Sequence, residues 1–88
     1  MATVFIPALL RDLIAEEQVV IPGSTVGEII RGLDRRYPGT VDLLIEDDDI
    51  MSGVAIVLDD QVGQMGLFDP VTDDTEIHIL PALSGGAR

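Results

Sequence analysis

Apolar residues fall into four short runs and one longer periodic segment. Residues 2–6 form a β-branched and aromatic run, and residues 16–21 form a second run that ends at Pro22. Both runs are typical of strands. The apolar segment 8–14 between them is interpreted as a turn region rather than a long helix, because it is short and irregular. The two strands are therefore predicted to form a hairpin with an elaborate loop.

The strongest local signal is the start of a helix at Thr25. Its hydroxyl can accept a hydrogen bond from the third backbone N–H of a helix, and Glu28 can reach back to the cap. Apolar residues then recur at the spacing of one helical face, until Pro38 ends the segment. These apolar positions are Val26, Ile29, Ile30, Leu33 and Tyr37. The pattern predicts an amphipathic helix that lies on a sheet.

The residue pattern in the second half of the chain predicts a short helical turn, a loop and further strands. A short helical turn over 41–45 leads to the acidic run 46–49, which repels itself and is interpreted as a solvated loop. Residues 54–58 are almost continuously apolar, as in a strand buried on both faces or nearly so. Residues 61–67 contain two glycines and predict at most a short edge strand. Residues 75–80 predict a clear final strand.

This order of elements predicts an α+β fold of the β-grasp (ubiquitin-like) type. The fold would have a mixed sheet of four to five strands, with one main helix packed on one face. A helix that follows the first hairpin must cross over the sheet, and connection rules favour the first and last strands lying parallel in its centre. We assign residues 1–83 to this domain and residues 84–88 to a flexible C-terminal tail.

Alternation along the two central strands assigns their side chains to faces. The positions facing the helix would be Val4, Ile6, Ile77 and Ile79. The opposite face has no helix to cover it, and an exposed apolar patch of this kind marks a partner site. The predicted partner interface consists of Phe5, His78, Leu80 and Pro81.

Composition and charge narrow the possible functions. With 88 residues, 47% hydrophobic and 3% aromatic, the chain has room for one aliphatic core and no second domain. Sixteen acidic residues against five basic ones give a net charge of -11, which opposes binding to nucleic acid or anionic lipid and suits a basic partner. The absence of lysine and cysteine excludes Schiff-base and thiol chemistry. With neither a membrane-spanning stretch nor a signal peptide in the sequence, a cytoplasmic location is expected.

Several residues could suggest a metal or catalytic site, but each has a simpler structural explanation. His78 is the only histidine, so a metal site is not predicted. The acidic run 46–49 lacks the ligand spacing and glycine of a calcium loop. The pairs Asp59-Asp60 and Asp73-Asp74 fall where turns are needed, and adjacent residues there point apart. We therefore predict no catalytic residues and no metal in this chain.

Four segments, taken together, resemble the ubiquitin-like sulfur carriers of the MoaD/ThiS type. This family contains the small subunit of molybdopterin synthase and the thiamine-biosynthesis carrier. The segments are 4–13, 25–28, 70–76 and 80–86. Each is weak alone, but their order and spacing within so short a chain are fairly specific, and the resemblance covers nearly the whole chain.

The resemblance implies a carrier, not an enzyme. The carboxylate of Gly86 would be adenylated by a ubiquitin-activating-type enzyme that uses MgATP. It would then become a thiocarboxylate that gives sulfur to a synthase in cofactor, cysteine or related biosynthesis. Ser84 and Gly85 would serve in tail recognition, since residues without Cβ can thread a narrow channel. This chain would bind no cofactor, because the chemistry belongs to its partners.

One feature departs from the simplest family pattern. Ala87 and Arg88 follow the two glycines, so the carbonyl of Gly86 is tied up in a peptide bond. Some relatives with such an extension are matured by a zinc-dependent JAMM-type peptidase, which here would cleave between Gly86 and Ala87. The alternative is a non-covalent β-grasp interaction module without sulfur chemistry. An acidic mimic of nucleic acid is disfavoured, because the acids are scattered over turns.

Overall fold

The structure, a computed structural model, describes residues 1–81. In this part of the chain the strands are β1 Ala2–Phe5, β2 Gln18–Ile21, β3 Ile45–Glu46, β4 Asp49–Ile50, β5 Val54–Leu58, β6 Gln61–Val62 and β7 Glu76–Pro81. The α-helices are α1 Val26–Arg36 and α2 Thr40–Leu44, and two short 3₁₀ helices span Ala8–Leu10 and Gly66–Phe68.

Five of the strands form one mixed sheet, in the order β2-β1-β7-β5-β6. β1 and β7 run parallel at its centre, with Thr3 opposite Glu76 and Phe5 opposite His78. The other neighbouring pairs are antiparallel. This arrangement confirms the predicted β-grasp fold, including the parallel central pair and the short edge strand β6.

Helix α1 begins as the sequence predicts. The hydroxyl of Thr25 accepts a hydrogen bond from the backbone N–H of Glu28 at 3.2 Å. The Glu28 carboxylate reaches back one residue further than expected, to the backbone N–H of Ser24 at 2.7 Å. Both interactions satisfy backbone donors that a helix start leaves without intrahelical partners.

The core lies between α1 and one face of the sheet. Its fully or almost fully buried side chains include Val4, Ile77, Val26, Ile29, Ile30 and Leu33. The i, i+3, i+4, i+7 face of α1 thus covers the inner sides of β1 and β7. Aliphatic burial of this kind is the main favourable contribution to folding.

In the second half, one expectation is incomplete and one is wrong. The acidic run 46–49 is solvated as predicted, but it belongs to a hairpin of β3 and β4, whose turn residues Asp47 and Asp48 have φ of 55° and 63°. Aspartate adopts this left-handed conformation more readily than most residues. In β5, only Ile56 is buried, and the other four residues are partly exposed. A strand buried on both faces needs a second covering layer, and the outer side of this sheet has none in the part of the chain described.

Candidate functional site

A row of five side chains crosses the outer face of the sheet, opposite α1. The strand registers place Phe5 between Gln18 and His78, and place Val57 between His78 and Val62. Phe5, His78 and Val57 are partly exposed, and Val62 is exposed. The row is polar at the β2 edge, where Gln18 lies, and apolar at the β6 edge, where Val57 and Val62 lie.

The centre of the row is a stacked pair of rings. The ring of Phe5 lies parallel to the imidazole of His78, with centroids 4.3 Å apart and an interplanar angle of 9°. Nε2 of His78 lies 3.8 Å from a carboxylate oxygen of Glu76, which precedes it by two residues on the same face. The predicted assignment of side chains to faces is therefore confirmed, whereas the role of this surface as a partner interface stays a prediction.

The outer face ends where the chain leaves the sheet. Leu80 pairs with Ala55, and its side chain is 47% exposed on this face. Pro81 pairs with Val54, and alternation along β7 places it on the other face of the sheet. Two predicted interface residues thus lie at the base of the tail. The remaining predicted site residues, Ser84, Gly85, Gly86 and Ala87, lie outside the described residues, so their roles stay predictions, as does the domain boundary at residue 83.

Carboxylates gather at the other end of the same face. β7 begins there with Glu76, and the Asp59-Asp60 turn follows β5 there. A carboxylate oxygen of Asp59 accepts a hydrogen bond from the backbone N–H of Glu76 at 2.9 Å. The N-terminal ammonium group donates a hydrogen bond to Asp73, and this bond together with the positive charge lowers the pKa of the Asp73 carboxyl. The sheet face is therefore acidic at the start of β7 and apolar at its end.

Sequence reasoning missed an apolar groove beside the base of the tail. Its volume is about 430 Å³, and its lining includes Leu9, Leu43, Met51, Leu80 and Pro81. In the first 3₁₀ helix, Leu10 is fully buried in the core, whereas Leu9 is exposed and lines the groove. Two adjacent leucines in a short loop, only one of which can enter the core, were the available sequence signal.

Within residues 1–81, no group of three or more His, Asp or Glu side chains is placed to hold a metal ion. None of the helices over this range has the length and apolar character needed to cross a membrane.

The chain matches the model of a known protein family. The ThiS family model matches residues 4–86, which is nearly the whole chain and includes both glycines of the tail. No curated protein sequence matches the chain.

Several solved structures are similar to this chain over nearly its whole length. CysO from Amycolatopsis orientalis, crystallised as a BexX/CysO complex, is 31% identical, with a TM-score of 0.88 over 98% of this chain and 100% of that one. CysO from Mycobacterium tuberculosis is 28% identical, with a TM-score of 0.85 over 93% and 99% of the two chains. The small archaeal modifier protein 1 from Methanosarcina acetivorans is 24% identical, with a TM-score of 0.78 over 97% and 95%, and shows the fold alone.

Proposed function

The chain belongs to the ThiS family of ubiquitin-like sulfur carriers, and on that basis we propose that its Gly86 carries sulfur as a thiocarboxylate. Members of this family are small carrier proteins rather than catalysts. The observation that carries the proposal is the extent of the family match, which continues past the sheet and through Gly86. A match confined to the sheet and helix would support only a shared fold.

The chemistry needs two steps on the terminal carboxylate. In the first, a carboxylate oxygen of Gly86 attacks the α-phosphorus of MgATP, which forms an acyl adenylate and releases pyrophosphate. In the second, a sulfur donor at the oxidation level of sulfide attacks the acyl carbon and displaces AMP. A carboxylate resists nucleophiles until it carries such a leaving group, so a ubiquitin-activating-type enzyme must supply the nucleotide site. The carrier then hands its sulfur to a synthase in cofactor, cysteine or related biosynthesis.

Maturation comes before this chemistry. Because Ala87 and Arg88 follow Gly86, hydrolysis of the Gly86–Ala87 peptide bond must first free the carboxylate. We assign this hydrolysis to a JAMM-type peptidase. Intact mass spectrometry of protein isolated from its own cells tests the step, since the mature form should lack the mass of the last two residues. A chain that retains both residues while the pathway is active would contradict it.

Docking of the activating enzyme belongs to the outer face of the sheet. Within residues 1–81 no second layer covers Phe5, His78 and Leu80 on this face, and Leu80 is one residue before the end of the described chain. Amycolatopsis CysO was crystallised in complex with another protein, BexX, which supports the expectation that a carrier of this kind works through a partner.

The deciding experiment follows the mass of the chain that ends at Gly86. This chain is incubated with MgATP, sulfide and each purified ubiquitin-activating-type enzyme of the source organism. The expected product is heavier by the difference between one sulfur and one oxygen atom. The full 88-residue chain is the matched control and should stay unmodified. If the shortened chain also stays unmodified with every enzyme but still binds one of them tightly, the non-covalent interaction module is the better account.

A further inference from the structure

Strand β2 forms one edge of the five-stranded sheet, so within residues 1–81 one side of its backbone has no neighbouring strand. Ile6 donates its backbone N–H to the carbonyl of Glu17 at 2.9 Å, which makes these residues a hydrogen-bonded pair of the antiparallel ladder. Such pairs alternate, so Val19 also bonds to β1, whereas Gln18 and Val20 direct their N–H and C=O groups away from it. The β2 edge therefore presents two donors and two acceptors.

One of these four groups is already occupied. Nη1 of Arg36, in the last turn of α1, donates a hydrogen bond to the carbonyl oxygen of Val20 at 3.3 Å. The guanidinium carbon of Arg36 also lies 5.6 Å from the ring centroid of Tyr37, a cation–π distance that favours this position of the side chain. No other described residue bonds to the outward groups of Gln18 and Val20.

The β2 edge fits the same strand of a second copy of this chain. If two β2 strands meet antiparallel with Val19 on the two-fold axis, Gln18 of each copy faces Val20 of the other. Each of these two pairs exchanges two hydrogen bonds, which gives four in total. Two of the four need the Val20 carbonyl, which is the acceptor that Arg36 occupies in each copy.

We propose that Arg36 protects the β2 edge and keeps this chain from joining a second copy through that strand. An exposed edge strand pairs with other chains unless a charged side chain, a proline or a covering element prevents it. The net charge of -11 also opposes self-association, but salt at physiological ionic strength screens such repulsion beyond about 8 Å. A local obstacle on the strand itself is therefore needed. This inference does not depend on the proposed function.

The experiment compares Arg36→Ala with Arg35→Ala in the full 88-residue chain. Both substitutions remove a positive charge from the last turn of α1, but of the two arginines Arg36 is the one that bonds to β2. Sedimentation equilibrium at physiological ionic strength gives the dissociation constant of the dimer. Arg36→Ala should lower this constant at least about tenfold, although the lost positive charge strengthens the repulsion between copies. Arg35→Ala should change it by no more than about twofold.

Amide hydrogen exchange identifies the strand that pairs. In Arg36→Ala, the amides of Gln18 and Val20 should become protected as the protein concentration rises, because both would donate across the dimer interface. Adding Gln18→Pro to Arg36→Ala removes one outward donor from each copy without removing a bond to β1, since proline is tolerated on edge strands. This double variant should return the dissociation constant toward that of the parent. Circular dichroism spectra that match the parent establish that each variant is folded.

Three results would overturn the proposal. If Arg36→Ala forms dimers no more strongly than the parent, this residue does not protect the edge. If Arg35→Ala forms dimers as strongly as Arg36→Ala, the cause is the general loss of positive charge. If the dimer of Arg36→Ala leaves the amides of Gln18 and Val20 unprotected, it uses another surface. None of these results affects the chemistry proposed for Gly86, which is tested by intact mass.

Discussion

The imidazole of His78 stacks on the ring of Phe5 across the parallel pairing of the two central strands, with centroids 4.3 Å apart. The pair joins the first strand to the last, more than seventy residues later in the chain. It also lies on the outer face of the sheet. The pair therefore links the two central strands and forms part of the predicted partner surface.

The stack should contribute measurably to stability. We expect a double-mutant cycle with Phe5→Leu and His78→Gln to give a coupling energy of about 0.5–1.5 kcal/mol, the range of aromatic pairs. Urea denaturation of the parent, the two single variants and the double variant provides the four free energies of unfolding. A coupling energy near zero would mean that the two rings only share a face.

The exposed leucine at the end of β7 should matter for docking rather than folding. Leu80→Asp should weaken the complex with the activating enzyme by several kcal/mol, because it places a charge in a desolvated interface. The fold should persist, since Leu80 is 47% exposed. The measurements are binding titrations and circular dichroism.

Val20 supplies the control for this prediction. It is also 47% exposed and lies on the same face, but on the edge strand β2, opposite Thr3 in the row at the acidic end. Val20→Asp should weaken the complex much less than Leu80→Asp. Equal losses from both substitutions would mean that the interface has no preference for the base of the tail.

Sequence patterns predicted the elements whose signals are local. Thr25 and Glu28 correctly predicted the start of α1. The alternation of side chains along β1 and β7 correctly placed Phe5 and His78 on the same face. The β3–β4 hairpin was missed because Asp47 and Asp48 form its turn, and their acidity suggested only a solvated loop. The groove was missed because Leu9, Met51 and Leu80 are far apart in sequence and meet only in the folded chain.

The contact between the N-terminus and Asp73 predicts a specific pH dependence. The pKa of the Asp73 carboxyl is lowered from its ordinary value of 3.8, first by the hydrogen bond from the N-terminal ammonium group and then by its charge. A carboxyl whose pKa is lower in the folded state stabilises the fold above the unfolded value, and this contribution is lost as the pH falls through the folded pKa. The contribution should be small, because both groups are exposed.

Carboxyl NMR provides the measurement for Asp73. Its titration midpoint should lie below 3.8 in the parent and move back toward that value when the N-terminal amine is acetylated. An Asp73 midpoint that acetylation leaves unchanged would rule out the N-terminal ammonium as the cause.

The last prediction separates sulfur chemistry from docking at the tail. In the chain that ends at Gly86, Gly86→Ala should abolish or strongly slow thiocarboxylate formation, because an added Cβ obstructs a channel shaped for bare backbone. The free energy of unfolding should change by no more than about 0.5 kcal/mol, since Gly86 follows the last residue of β7 by five positions. The enzyme should still bind this variant through the outer face of the sheet. Rates are followed by intact mass and affinities by titration. If Gly86→Ala acquires sulfur as fast as the parent, the enzyme does not select for a bare backbone at this position, and the role assigned to Gly86 is wrong.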